Sequence, residues 1–260
     1  MIEQPTDQQS FGYPRLDYYT VASTLDIAPE QARRRAPHGT LITASHQTSG
    51  RGRRGGQWRD IPGAGALMTF IVRPGAGALA SAWRLPFMAS LAAMRALHSL
   101  GYGETRLKWP NDIVIAGAKV GGVLVEAADS PPVDPALLVG IGINVAQESF
   151  PDSHDYPVVP TSLLIAAKRA ARSEWPNATT VIAAVARELG NVWDVHSDSG
   201  QSLILDWRRF QITGQPQRGI SLATGQPIAG YYRDLRPTDG AGLIETPDSE
   251  ELAAVVPVSV

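Results

Sequence analysis

Cysteine is absent from this chain of 260 residues. That removes disulfides, thiolate metal sites and thiol nucleophiles together. Lysine is nearly absent: of 23 basic residues, only Lys108, Lys119 and Lys168 are lysines. No long apolar run exists. The most apolar stretch, 82–100, carries Arg84, Arg95 and His98, which makes it a poor membrane span. The first twenty residues are polar and acidic, without the basic start and apolar run of a signal peptide. These absences are compatible with a cytoplasmic protein. Net charge is only −2, which argues against a general nucleic-acid binder. Two of the three lysines fall within 108–126, in a chain that otherwise uses arginine. A compact ammonium suits contact with a carboxylate or phosphate at one point, where a guanidinium fork is too broad.

The apolar pattern organises the rest. Residues 1–16 read as a loose lead-in. Ser23-Thr24 followed by 25–35 reads as a capped helix ending before Pro37, and 41–44 as a strand. Gly50 to Gly65 holds six glycines, four arginines and one proline, the composition of a mobile polar loop. A strand at 66–72 and a helix at 86–100 follow, the helix with Phe87, Leu91, Met94 and Leu97 on one face. Strands are expected at 105–109, 112–115, 119–126 and 137–145, with a hairpin turn at Ala116-Gly117-Ala118. Helices are expected at 161–171, 179–196 and 201–210. From Gln211 short alternating segments between Gly, Pro and Asp read as a small all-β unit. No internal repeat is present. The order describes a mixed α+β domain, 1–210, then a small β domain, 211–260.

Several short motifs carry chemistry, each with a plainer reading beside it. Gly50-Arg51-Gly52-Arg53-Arg54-Gly55 follows a strand and matches a dinucleotide-binding glycine pattern. The stretch after it cannot start a good helix, and no acidic residue occurs between Asp60 and Glu104, so that reading fails. A Walker loop fails for want of Gly-Lys-Ser/Thr. What remains is a loop of backbone amides and guanidiniums that can close over an anion, or simply a solvated surface loop. Lys108-Trp109-Pro110-Asn111-Asp112 is either a cluster of binding groups at a strand end or a β-turn. Lys119-Val120-Gly121-Gly122 either admits a ligand close to the backbone or forms a β-bulge. Gly140-Ile141-Gly142-Ile143-Asn144 ends a strand with an amide after two small residues.

Taken in order, with Trp58 and Pro160-Thr161-Ser162-Leu163, these segments resemble the biotin protein ligase family, the biotin–[acetyl-CoA-carboxylase] ligases, over about 17–258. The pairing of the Gly-Arg loop with Lys-Trp-Pro-Asn-Asp is what makes the resemblance specific. It implies a class II synthetase-like mixed sheet with packed helices, plus a small C-terminal SH3-like β-barrel. It also implies an activity: biotin and MgATP give biotinyl-5′-adenylate and pyrophosphate, and biotin then passes to one lysine of a carboxylase carrier domain.

The same resemblance implies roles for individual residues. Lys119 corresponds to the lysine between the biotin carboxylate and the α-phosphate, the main electrostatic catalyst. Arg51 and Arg53, with the amides of Gly50, Gly52 and Gly55, correspond to a lid that folds over the adenylate and excludes water. Ser23, Thr24 and Gln47 correspond to groups around the ureido ring of biotin, where donors and acceptors are needed, although Ser23-Thr24 alone is a helix cap. Gly121 and Gly122 would let the strand lie along biotin. Trp58, Lys108, Asn111, Asp112 and Asn144 correspond to the ATP end, with Lys108 either on phosphate or paired with Asp112. Mg²⁺ would be held mainly by phosphates and water, with Asp112 the candidate carboxylate.

The implied partners are the biotin carboxyl carrier domain and, as in relatives, a second copy through the exposed sheet; no membrane is implied. About twenty residues precede Ser23, too few for a three-helix DNA reader, so sequence-specific DNA binding is not expected. The final segment departs from the family, with Pro257 where an acidic residue is common. Two other functions stay open: a lipoate or octanoate ligase of the same fold, which the absence of cysteine and the Lys-Trp-Pro-Asn-Asp segment disfavour, and a biotin-binding sensor without transfer activity.

Overall fold

The computed structural model describes residues 11–75, 78–129, 134–150, 158–247 and 249–257. Its centre is a seven-stranded mixed sheet. The strands are β1 (Arg15–Val21), β2 (Leu41–Gln47), β5 (Gly65–Val72), β6 (Thr105–Lys108), β7 (Asp112–Ile115), β8 (Ala118–Ala127) and β9 (Leu137–Asn144), ordered β1-β2-β5-β9-β8-β7-β6. β1 and β2 run parallel and every other pair antiparallel. Two short strands, β3 (Gly50–Arg51) and β4 (Gln57–Trp58), form a separate hairpin.

Helices cover both faces of the sheet. α2 (Leu85–Ser99) and α4 (Ala178–His196) pack against each other and bury Met68, Phe70, Val139, Ile141 and Ile143 from one side. α1 (Thr24–Arg33) lies on the other face, its Leu25, Ala28 and Ala32 against Ile42, Ile71 and Leu138. Coverage on both sides explains why all eight residues of β5 are buried. α3 (Leu163–Arg169) and α5 (Gly200–Arg208) join the α2–α4 side through Leu163, Leu203, Ile204 and Trp207, each capped by a serine, Ser162 and Ser199.

β10 (Pro216–Ser221), β11 (Pro227–Leu235), β12 (Gly242–Thr246) and β13 (Ser249–Pro257) close into a barrel. The barrel docks through Trp109, which is buried and stacks on Tyr232 of β11. The indole Nε1 of Trp109 donates to the Gly240 carbonyl, and Arg208 pairs with Asp234. The mixed α+β class and the terminal β unit thus match the pattern in the sequence.

Three expectations need correction. The lead-in reading overlaps β1, because Arg15 and Leu16 begin that strand. Leu16 and Tyr18 pack against the α1 cluster, while Tyr19 is exposed; alternation this weak belongs to an edge strand. Residues 1–10 lie outside the described residues, as do 258–260. The segment 50–65 is not a plain loop. It holds the β3–β4 hairpin, with a 3₁₀ turn at Arg53–Gly55, and its last residue opens β5. Helix α1 stops at Arg33, two residues earlier than the pattern suggested.

Candidate active site

The cleft lies on the α1 face of the sheet and has a volume of about 490 Å³. Its floor is pared down by glycines. A Cβ at Gly140 would sit 3.0 Å from Leu25, and one at Gly142 would sit 2.7 Å from the Trp58 ring. A methyl group at Gly140 would push Leu25 aside and one at Gly142 would collide with the indole, so these glycines leave room for α1 and for the hairpin respectively.

One local irregularity sets the position of Lys119. Residues on β7 and β8 pair Ile113 with Gly121 but Val114 with Lys119, so Val120 is an extra residue, a β-bulge. In a regular strand Lys119 would share a face with Gly121 and Val123, and Val123 belongs to the core under α2. The bulge moves Lys119 to the opposite face, beside Gly122, whose Cβ would be 3.3 Å from the Lys119 Cε. The Lys119 Nζ then reaches Asp112 Oδ1 at 2.5 Å. The backbone of Lys119 is fixed as well. Its N–H donates to Val159 and its carbonyl accepts from Thr161, which accounts for the Pro160-Thr161-Ser162-Leu163 segment. The bulge reading of Lys119-Val120-Gly121-Gly122 is thus the one observed, and the bulge turns Lys119 toward the cleft.

At the β2 side of the cleft, Gln47 organises a buried polar cluster. Its Oε1 accepts from the Thr24 backbone N–H at 2.7 Å, from Thr24 Oγ1 at 3.0 Å and from Ser23 Oγ at 3.3 Å. Thr69 Oγ1 in turn donates to Thr24 Oγ1 at 2.8 Å. Ser23 also caps α1 by accepting from Leu25 N–H, so cap and cleft roles coincide in one side chain.

The hairpin crosses the cleft. Arg51 holds Asp26 of α1 through one guanidinium nitrogen and Glu126 of β8 through the other, at 2.7 Å for the latter. Arg53 Nη1 donates to Asn111 Oδ1 at 3.2 Å, and Asn111 Nδ2 donates to the Val123 carbonyl. Trp58 lies on Gly142 with its indole N–H buried and without an acceptor among the described residues.

Ser23, Thr24, Gln47, Arg51, Arg53, Trp58, Lys108, Asn111, Asp112, Lys119, Gly122 and Asn144 all line this one cleft. Gly50 and Gly121 do not. A Cβ on Gly50 would meet the Trp58 carbonyl oxygen at 2.5 Å, and one on Gly121 the Gly142 carbonyl oxygen at 2.8 Å; both glycines serve close backbone packing. Lys108 and Asp112 are cross-strand neighbours, but the Asp112 carboxylate goes to Lys119 instead. Both ends of the Asn144 amide are used within the protein, on Thr161 and Gln147. Residues missed in the sequence are Thr69, Asp26, Glu126 and, from the barrel, Pro216 and Gln217, which also line the cleft. Glu126 was within reach, since it continues the alternation Gly122, Leu124, Glu126.

The model of the Biotin/lipoate A/B protein ligase family matches residues 19–144. The biotin–[acetyl-CoA-carboxylase] ligase of Mycobacterium tuberculosis is 30% identical over 252 residues, 90% of this chain and 88% of that protein. The bifunctional ligase/repressor BirA of Bacillus spizizenii is 39% identical over 134 residues, 51% of this chain but 41% of that protein. The ligase of Paracoccus denitrificans is 44% identical over 107 residues, 40% of this chain and likewise only 44% of that protein. The chain thus spans under half the length of the last two relatives. Among solved structures, the biotin protein ligase from Aquifex aeolicus in complex with biotin and ATP superposes with a TM-score of 0.73, at 24% identity, over 95% of this chain and 97% of that one. The chain belongs to the biotin protein ligase family.

Proposed function

We propose that this chain condenses biotin with ATP to biotinyl-5′-adenylate and passes the biotinyl group to a lysine of the biotin carboxyl carrier domain of acetyl-CoA carboxylase. The observation that carries this reading is the order of groups across one cleft. A neutral polar cluster, Ser23, Thr24 and Gln47, stands on the β2 side, and the cations Lys119 and Lys108 stand on β8 and β6 at the other side. That order suits a substrate with a polar neutral head, an apolar tail and a carboxylate that must meet a polyphosphate. The names of the Mycobacterium tuberculosis relative and of the Aquifex aeolicus complex support it.

In the first step a biotin carboxylate oxygen attacks the α-phosphorus. The bond from that phosphorus to the bridging oxygen breaks, and pyrophosphate leaves. Lys119 offsets the repulsion between the two anions at the point of attack. Arg51 and Arg53, on the hairpin, add charge and keep water from the acyl-phosphate. In the second step the neutral amine of the carrier lysine attacks the acyl carbon. The bond to AMP breaks and the amine gives up a proton. Among the described residues no group of three potential metal ligands is gathered, and Asp112 is the carboxylate lining the cleft. This donor set fits Mg²⁺ carried on the phosphates with Asp112 alongside. When bound there, Mg²⁺ supplies positive charge to the departing pyrophosphate. The ligase unit of this reading is 1–210, with 211–260 the barrel beside it.

The test is incorporation of labelled biotin into a purified carrier domain with MgATP, with lanes lacking ATP or the target lysine. ATP-dependent label on that lysine is expected. Biotin binding without any label favours a sensor, and pyrophosphate release with lipoate in place of biotin favours the lipoate branch.

A further inference from the structure

Asp60 lies two residues beyond Trp58, where the hairpin returns toward the sheet, and its side chain is wholly buried, at 0% exposure. A buried carboxylate persists only with donors around it. Asp60 has them: Oδ2 meets His46 Nδ1 at 2.9 Å, and both oxygens accept from the Gln47 backbone N–H at 3.3 Å. His46 and Gln47 are the last two residues of β2. Further along, the Gly63 N–H donates to the Ser45 carbonyl at 2.7 Å, so this return limb is tied twice to the same strand end.

The Arg51 attachment of the hairpin differs in kind. Arg51, Asp26 and Glu126 are each more than a third exposed, and exposed ion pairs exchange readily with water and salt. The Asp60 attachment is shielded and cannot open without leaving a buried charge unpaired. The same Gln47 whose backbone is held by Asp60 carries the side chain that organises Ser23 and Thr24.

We propose that Asp60, with His46, is a positioning residue: the fixed pivot on which the Gly-Arg hairpin closes, and the brace that holds Gln47 in the polar end of the cleft. It touches no reacting atom; it acts through Gln47 and Trp58. The effect on biotin rests on the function proposed above; the pivot itself does not.

The experiment uses the full chain and three variants, Asp60→Ala, Asp60→Asn and His46→Ala. Two readouts apply. The first is the rate of tryptic cleavage after Arg51, Arg53 and Arg54 without any substrate. The second is KM for biotin and for ATP, with leakage of adenylate. Asp60→Ala is expected to speed cleavage and raise the biotin KM by about tenfold each, the scale of losing one positioning contact, with the ATP KM within about twofold. Asp60→Asn keeps an acceptor and should recover most of both. His46→Ala should move both in the same direction by less, and decides the matter if Asp60→Ala does not fold. Wild-type cleavage rates in these variants would overturn the pivot. A lower kcat with both KM values unchanged would overturn the brace, leaving Asp60 merely structural. If the wild type makes no adenylate from biotin, the function proposed above fails, and the cleavage rates still decide the pivot.

Discussion

Trp109 and Tyr232 stack with ring centroids 5.8 Å apart and planes 11° from parallel. This pair joins the cleft to the barrel. Trp109 comes from the Lys-Trp-Pro-Asn-Asp segment whose neighbours line the cleft, and Tyr232 is the buried aromatic of β11. Replacing the indole by a methyl group, Trp109→Ala, removes the stack, the hydrogen bond to Gly240 and a large buried surface. A loss of about 3–5 kcal/mol is expected for such a truncation. Calorimetry should show a lower melting temperature, and limited proteolysis should release the barrel before the larger domain.

Tyr232 also makes stability depend on pH. Burial, reinforced by the negative charge of Asp234, pushes its phenol far above the ordinary range, and its hydroxyl donates to Gln211 at 2.6 Å. The unfolded chain ionises this phenol near pH 10 (roughly the ordinary tyrosine value), while the folded chain keeps it neutral. Stability from this group is therefore complete below about pH 10 and falls as pH rises beyond it, by about 1.4 kcal/mol per unit. Tyr232→Phe should show lower stability near neutrality, by about 1 kcal/mol for the lost hydrogen bond, and a shallower alkaline decline. Equal alkaline slopes in denaturant titrations would sink this account.

Much of the molecule was legible because its signals are local. The helix at 85–99 and the run of strands from 105 to 144 follow from apolar spacing, and the cap at Ser23 from residue type. The grouping of Lys119, Asp112 and the Gly-Arg hairpin was legible only through family resemblance. What stayed hidden depends on contacts remote in sequence. Nothing near Arg51 announces Asp26 and Glu126 as its partners. The burial of Trp109 is set by a barrel more than a hundred residues later. The bulge at Val120 was one of two readings of Lys119-Val120-Gly121-Gly122, and pairing with β7 decided for it.

Lys119 is the cation that the bulge delivers to the cleft. Lys119→Ala should lower adenylate formation by about 10²-fold or more, the usual cost of one preorganised electrostatic group, with a modest change in biotin binding. Lys119→Arg should not recover the rate, because a planar fork spreads its charge and cannot replace a compact ammonium at one point between two anions. Pyrophosphate release under saturating substrates measures both, and an unchanged rate in the alanine variant would remove Lys119 from its role.

Arg53 should act on the fate of the intermediate rather than on its formation. It reaches Asn111 across the cleft, a contact that helps hold the hairpin down. Arg53→Gly removes that reach and should let free adenylate escape, seen as label on lysines of bystander proteins. Leakage equal to wild type would remove Arg53 from the closure.

Gly142 tests whether the seat of Trp58 matters. A Cβ at this position would lie 2.7 Å from Cε2 and 2.8 Å from Cζ2 of the indole, so Gly142→Ala and a seated Trp58 cannot coexist without movement. The backbone of Gly142 is ordinary β-strand, paired with Leu67 and Gly122, and alanine itself is no burden to a strand. The fold should therefore survive, with the indole displaced and the hairpin propped away from the sheet. Tryptophan fluorescence should shift to the red as Trp58 meets water, the ATP KM should rise, and adenylate should leak as it does from Arg53→Gly. Because both changes act on one closure, the double variant should leak little more than either single one. Additive leakage would mean that Trp58 and Arg53 act on separate movements.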